Sequence, residues 1–176
     1  MLIGLYIPAF FSLFYHLPDD VIVTNKHVIE DSETGARATK GRFKITMKDD
    51  NGVPNLQDIK TISIGNFYDG WIMHPDPHID LCIFPMAHFY SKLPQNLGGV
   101  AAGFIREEYL PKNLNLYKPT EDIYMVGYPD GFGDDKHNLP LVRCGITATP
   151  FYIEHNGHPE FLVDCACFPG SSGSPI

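Results

Sequence analysis

The chain has 176 residues, 44% of them hydrophobic and 19% charged, which excludes a disordered polymer and allows a real core in one domain or two small halves. Its formal net charge is −8, with acids in pairs such as Asp19-Asp20, Glu30-Asp31 and Asp134-Asp135, so the basic stripe that nucleic acid requires is missing. Fifteen prolines and sixteen glycines, spread along the chain, favour many short strands joined by turns over long helices.

Met1 to Tyr15 is apolar but carries no Lys or Arg, and no small-residue cleavage pattern follows it. It reads as one or two buried strands rather than a signal peptide, and Gly4 and Pro8 break it too early to span a bilayer. Phe10–Tyr15 is expected to be a strand, Leu17–Asp20 a turn, and Val21–Thr24 a strand that delivers Asn25-Lys26-His27 at its end. Arg42, Lys44 and Lys48 alternate with Phe43, Ile45 and Met47, the period of a strand with one wet and one buried face. Asp50-Asn51-Gly52 then predicts a hairpin with positive φ at both central positions. Further strands are expected at Thr61–Ile64, Phe67–Met73 and Leu81–Pro85.

From Ser91 to Asp122 prolines and Gly98-Gly99 surround one short expected helix, Ile105–Leu110, and this stretch reads as a connection between two β-rich halves. Strands resume at Ile123–Tyr128, Leu141–Thr149, Phe151–Glu154 and Phe161–Cys165, the last two joined by an Asn156-Gly157 turn. The implied division is 1–93, a connection at 94–122, and 123–176. The four cysteines, Cys82, Cys144, Cys165 and Cys167, suggest no disulfide framework, which favours a reducing compartment and a cytoplasmic setting over a secreted or periplasmic one.

Three local patterns carry chemistry. Val21 to Ile29 is an apolar strand ending in a polar pair and His27, which holds an imidazole at a rim on rigid support. Asp80 stands directly before the apolar run Leu81-Cys82-Ile83-Phe84; drawn inward, its carboxylate needs a hydrogen-bond partner, and an imidazole is a suitable one. Asp76, between two prolines, is the lesser candidate. In Phe168-Pro169-Gly170-Ser171-Ser172-Gly173-Ser174-Pro175, glycines on both sides of a serine let the backbone turn tightly and gather N–H groups in one small space. A rival zinc reading uses Cys165, Cys167, His155 and His158, but the two histidines flank an Asn-Gly turn and the cysteines read as core.

The order His, Asp, Ser, with Thr-Asn-Lys-His, Asp-Leu-Cys-Ile and Gly-Ser-Ser-Gly-Ser-Pro, resembles the trypsin-like (chymotrypsin-fold) serine peptidase family, and most closely its bacterial, disulfide-free members related to the HtrA (Deg) group. Ile123–Pro129 and Arg143–Thr147 resemble strands of the same family, and the likeness runs from about Phe11 to the end.

The resemblance implies an all-β fold of two packed antiparallel β-barrels, the second left incomplete because the chain stops four residues after Ser172. It implies a triad of His27 as general base, Asp80 as its orienting partner and Ser172 as nucleophile, with an oxyanion hole from the N–H groups of Gly170 and Ser172. Ala166, six residues before Ser172, falls at the base of the specificity pocket, where a small neutral residue argues against a preference for Lys or Arg. Ser171 replaces the aspartate that digestive members pair with a newly cut N-terminus, so activation by that route is not implied. The expected partner is a polypeptide substrate, with no cofactor, metal, nucleic acid or membrane. The alternative is a catalytically impaired fragment that keeps the fold for binding.

Overall fold

The structure is a computed structural model and describes residues 2–5, 21–91, 99–101, 105, 107–109, 111–130, 132–134 and 136–176. The chain is all-β, and among the described residues helix is confined to short turns, none long and apolar enough to cross a membrane. Two compact units are present: residues 18–104 with 133–139, and residues 1–17 with 105–132 and 140–176. In this division residues 105–132 group with the C-terminal strands, as do Leu2–Leu5, which pair with Glu160–Val163.

The C-terminal unit carries strands β1 (Leu2–Leu5), β7 (Asp122–Gly127), β8 (Leu141–Thr147) and β9 (Glu160–Cys165) in one antiparallel sheet of order β1-β9-β8-β7. On β7, β8 and β9 the buried residues are Met125, Gly127, Arg143, Thr147, Phe161 and Val163.

In the other unit, β2 (Val21–Thr24), β5 (Ile72–Met73) and β6 (Cys82–Pro85) form a sheet of order β2-β6-β5. Strands β3 (Lys40–Lys48) and β4 (Pro54–Gly65) form a long antiparallel pair with a register shift between Thr46 and Met47. The unit also carries two short helices, α1 (Lys26–Ile29) and α2 (Met86–Ser91). Its core is Ile29, Ile62, Ile64, Phe67, Trp71, Cys82 and Phe84. Three aromatic rings knit that core: Trp71 meets Phe84 edge-on with centroids 5.2 Å apart, and Phe67 meets Trp71 the same way at 5.5 Å.

The period-two reading of Arg42–Lys48 holds: Arg42, Lys44 and Lys48 are exposed, while Phe43 and Ile45 are partly buried and Met47 is buried. Its turn differs in kind from the expected one. Gly52 takes φ +79° but Asn51 stays out of the left-handed region, because Asp49 organises the loop by accepting the N–H groups of Asn51 and Val53 on its carboxylate. Positive φ at both central positions does occur at Asn156 (54°) and Gly157 (76°), between the bridged residues His155 and His158.

Phe151–Glu154 is a turn rather than a strand. Most of Phe67–Met73 is also non-extended, because a 3₁₀ turn at Tyr68–Gly70 puts Phe67 and Trp71 on the same buried side. The helix expected at Ile105–Leu110 is a 3₁₀ turn at Glu107–Tyr109. The strand expected at Phe10–Tyr15 and the turn at Leu17–Asp20 lie outside the described residues.

Candidate active site

Sheet register explains why His27 and Asp80 meet. Strands β2 and β6 are antiparallel, with Thr24 opposite Cys82, so the residues that leave β2 lie beside those that enter β6. The chain then turns into α1, which buries Ile29 and leaves His27 on the outer side. Asp80 takes two bonds from this turn: Oδ1 accepts the backbone N–H of His27 at 3.1 Å, and Oδ2 lies 2.5 Å from its Nδ1.

The neighbours of the pair brace it. Asn25 precedes α1, yet its side chain caps nothing there; Nδ2 donates instead to the carbonyl of Asp80 at 2.9 Å. Lys26 Nζ donates to the carbonyl of Asp76 at 2.8 Å, and the Cys82 thiol donates to the carbonyl of Asn25 at 3.6 Å. Asp80 is less withdrawn than its place before an apolar run suggests. Both side chains of the pair are about half exposed, at 48% each, and full burial begins only at Cys82. Asp76 spends its carboxylate on the N–H of His78 in a local turn. Burial, reinforced by the negative charge of Asp80, pushes the Cys82 thiol up to about 12; Lys26 opposes this weakly.

Ser172, Gly170 and Ala166 belong to the C-terminal unit. Gly170 (φ 80°) and Gly173 (φ 79°) are both left-handed and flank the two serines. Between them Ser171 turns inward, 2% exposed, while Ser172 is exposed. Ser171 organises the loop with all its groups: its N–H donates to Phe168 O at 3.0 Å, its carbonyl accepts from Ser174 at 3.0 Å, and Oγ accepts from Phe168 N–H at 3.2 Å. The loop is tied to the chain after β7 by Asp130 N–H on Pro169 O (2.9 Å), and to β7 itself by Val126 N–H on Pro175 O (3.1 Å).

A residue that the sequence pattern did not single out sits behind this loop. Arg143 Nη1 donates to Ser171 Oγ at 2.7 Å and to Ala166 O at 3.2 Å. In the run Leu141–Thr147, Val142 and Ile146 look like the inward set, but they are 58% and 44% exposed, and Arg143 and Thr147 point in. No signal in the local alternation could have revealed this.

All four cysteines are free thiols. Among the described residues no group of three or more His, Cys, Asp or Glu is placed to hold a metal ion, and Cys165, Cys167, His155 and His158 make no such group.

The arrangement supplies an imidazole oriented by a carboxylate on one unit, and a serine-bearing turn with two left-handed glycines on the other. No curated protein and no solved structure matches the chain. The family model for the trypsin-like peptidase domain matches residues 12–176, and the chain therefore belongs to that family.

Proposed function

We propose that the chain is a serine endopeptidase with Ser172 as nucleophile, His27 as general base and Asp80 as the partner that orients His27. Ser172 Oγ attacks the scissile carbonyl while His27 Nε2 takes its proton, and the same proton passes to the leaving amine as the acyl-enzyme forms. Water then repeats the sequence and releases the acid. The N–H groups of Gly170 and Ser172 receive the charge on the tetrahedral oxygen. Ala166, small and neutral, forms the base of the specificity pocket and disfavours Lys or Arg side chains. The four free thiols support the bacterial, disulfide-free kind of family member related to the HtrA (Deg) group, and a cytoplasmic setting.

The observation that carries the reading is the double contact of Asp80 with His27, since an imidazole held at Nδ1 by a carboxylate presents Nε2 as a base. A fluorophosphonate probe tests it. The protein should label at Ser172, and Ser172→Ala and His27→Ala should not. A wild type that labels no faster than Ser172→Ala would overturn the peptidase reading and leave the fold to binding.

A further inference from the structure

Strand β8 turns a cation inward. Arg143 is 8% exposed, and its Nε and Nη2 find no hydrogen-bond partner among the described residues. A guanidinium keeps its charge inside a protein, and burying it is costly unless its donors are satisfied. As a contribution to stability this is poor, because an apolar side chain of similar volume in such a place is often neutral or stabilising. A costly group retained at one point of a sheet calls for a local reason.

The reason is found in what Nη1 touches. Its two acceptors, Ser171 Oγ and Ala166 O, both belong to the segment that carries Ser172. Ser171 Oγ also accepts the N–H of Phe168, so one oxygen joins the guanidinium to the start of the turn. Ser171 lies between Gly170 and Ser172, the two residues whose N–H groups are assigned to the oxyanion. Fixing Ser171 from behind therefore fixes the peptide planes on either side of it.

We infer that Arg143 is a positioning residue for the nucleophile turn: its buried guanidinium, bonded to Ser171 and Ala166, holds the Gly170 and Ser172 N–H groups on one point and sets a positive charge behind them. The inference rests on the peptidase reading. Preorganised donors and fixed charge in a water-poor site act on the transition state without cost at the moment of reaction. Among the described residues both side-chain hydrogen bonds of Arg143 leave from one nitrogen, so a lysine ammonium can imitate them in part, and an apolar side chain cannot.

The test is the second-order rate of fluorophosphonate labelling at Ser172, measured beside the thermal unfolding midpoint, for wild type, Arg143→Met, Arg143→Lys, Ser171→Ala and the Arg143→Met/Ser171→Ala double variant. Arg143→Met should label about 10²-fold more slowly, the loss expected on disturbing one oxyanion donor, while its midpoint holds or rises. Arg143→Lys should recover most of that rate. The double variant should be little slower than the slower single one, because both substitutions break the same contact. If Arg143→Met fails to fold, Ser171→Ala and Arg143→Lys carry the test through rate at unchanged midpoint. A folded Arg143→Met or Ser171→Ala that labels at the wild-type rate overturns the inference and leaves the peptidase reading standing. A wild type that takes no probe overturns both.

Discussion

Asp80 holds His27 twice, across 53 positions of sequence: one carboxylate oxygen accepts the histidine's backbone N–H and the other faces its Nδ1. The backbone bond fixes where the carboxylate stands, so the second oxygen is presented to the ring in a set direction. The pairing of Thr24 with Cys82 sets both, since a slip of one residue in β2 and β6 would send His27 to the other face.

Replacing Asp80 by Asn keeps the shape of this contact and reverses its meaning. The amide oxygen can still accept the backbone N–H, which turns the amide NH₂ towards Nδ1. The ring must then carry its proton on Nε2, where a base is needed. The labelling rate of Ser172 is expected to fall about 10⁴-fold. Because both side chains are half exposed, the unfolding free energy should change by less than about 1 kcal/mol. Rates and urea midpoints of the two proteins check this, and an Asp80→Asn that reacts as fast as wild type removes Asp80 from the proposed role.

Gly170 is constrained twice. Its φ of 80° is costly for any side chain, and a Cβ there would stand 2.8 Å from both the backbone nitrogen and Oδ1 of Asp130. Gly170→Ala should therefore shift the turn, with strain of roughly 1–3 kcal/mol, and slow labelling of Ser172 at least tenfold. Gly157 provides the control: it shares the left-handed φ, at 76°, but a Cβ there meets nothing within 4 Å. Gly157→Ala should lower the thermal midpoint and leave labelling untouched. Equal effects of the two on labelling would remove the local argument for Gly170.

What the sequence made legible was short-range. Asn156-Gly157 has its turn because two residues suffice to specify it, and the alternation in Arg42–Lys48 survives because one face of β3 packs on a core. The place of Leu2–Leu5 was not readable, since its pairing with Glu160–Val163 is decided by a partner almost a whole chain away. Phe67–Met73 looked extended from its aromatic content, yet burying Phe67 and Trp71 together needs a turn between them. Arg143 is the sharpest case. Alternation says which residues share a face, but which face is buried depends on what packs there, and on β8 the turn around Ser171 decides it.

The core beneath His27 rests on Phe84, which is fully buried against Trp71 and Phe67. Phe84→Ala should cost about 3–5 kcal/mol, through lost burial and the cavity left behind. The chain has one tryptophan, Trp71, so its emission reports on this core alone. The variant should show red-shifted emission and an earlier urea transition by that signal. An unchanged midpoint would mean that the ring stack contributes little to this unit.

Cys82 links the same core to pH. Its thiol is fully buried behind the Asp80 turn and is raised from the ordinary 9.0 to about 12. The folded chain thus keeps a proton that the unfolded chain releases above pH 9, so stability is fully present below that value and declines as pH rises towards 12. The slope for this one group is about 1.4 kcal/mol per pH unit across the window. Tyr68, raised by its bond to Glu30, and Tyr128, raised by burial, act in the same direction. Urea unfolding at steps from pH 8 to 11 should show the decline, and Cys82→Ala should flatten it while losing a little stability at pH 8. At pH 8 iodoacetamide should modify the exposed Cys144 and Cys167 and spare Cys82 until urea opens the core. A Cys82→Ala protein with the wild-type slope would assign the alkaline loss to other groups.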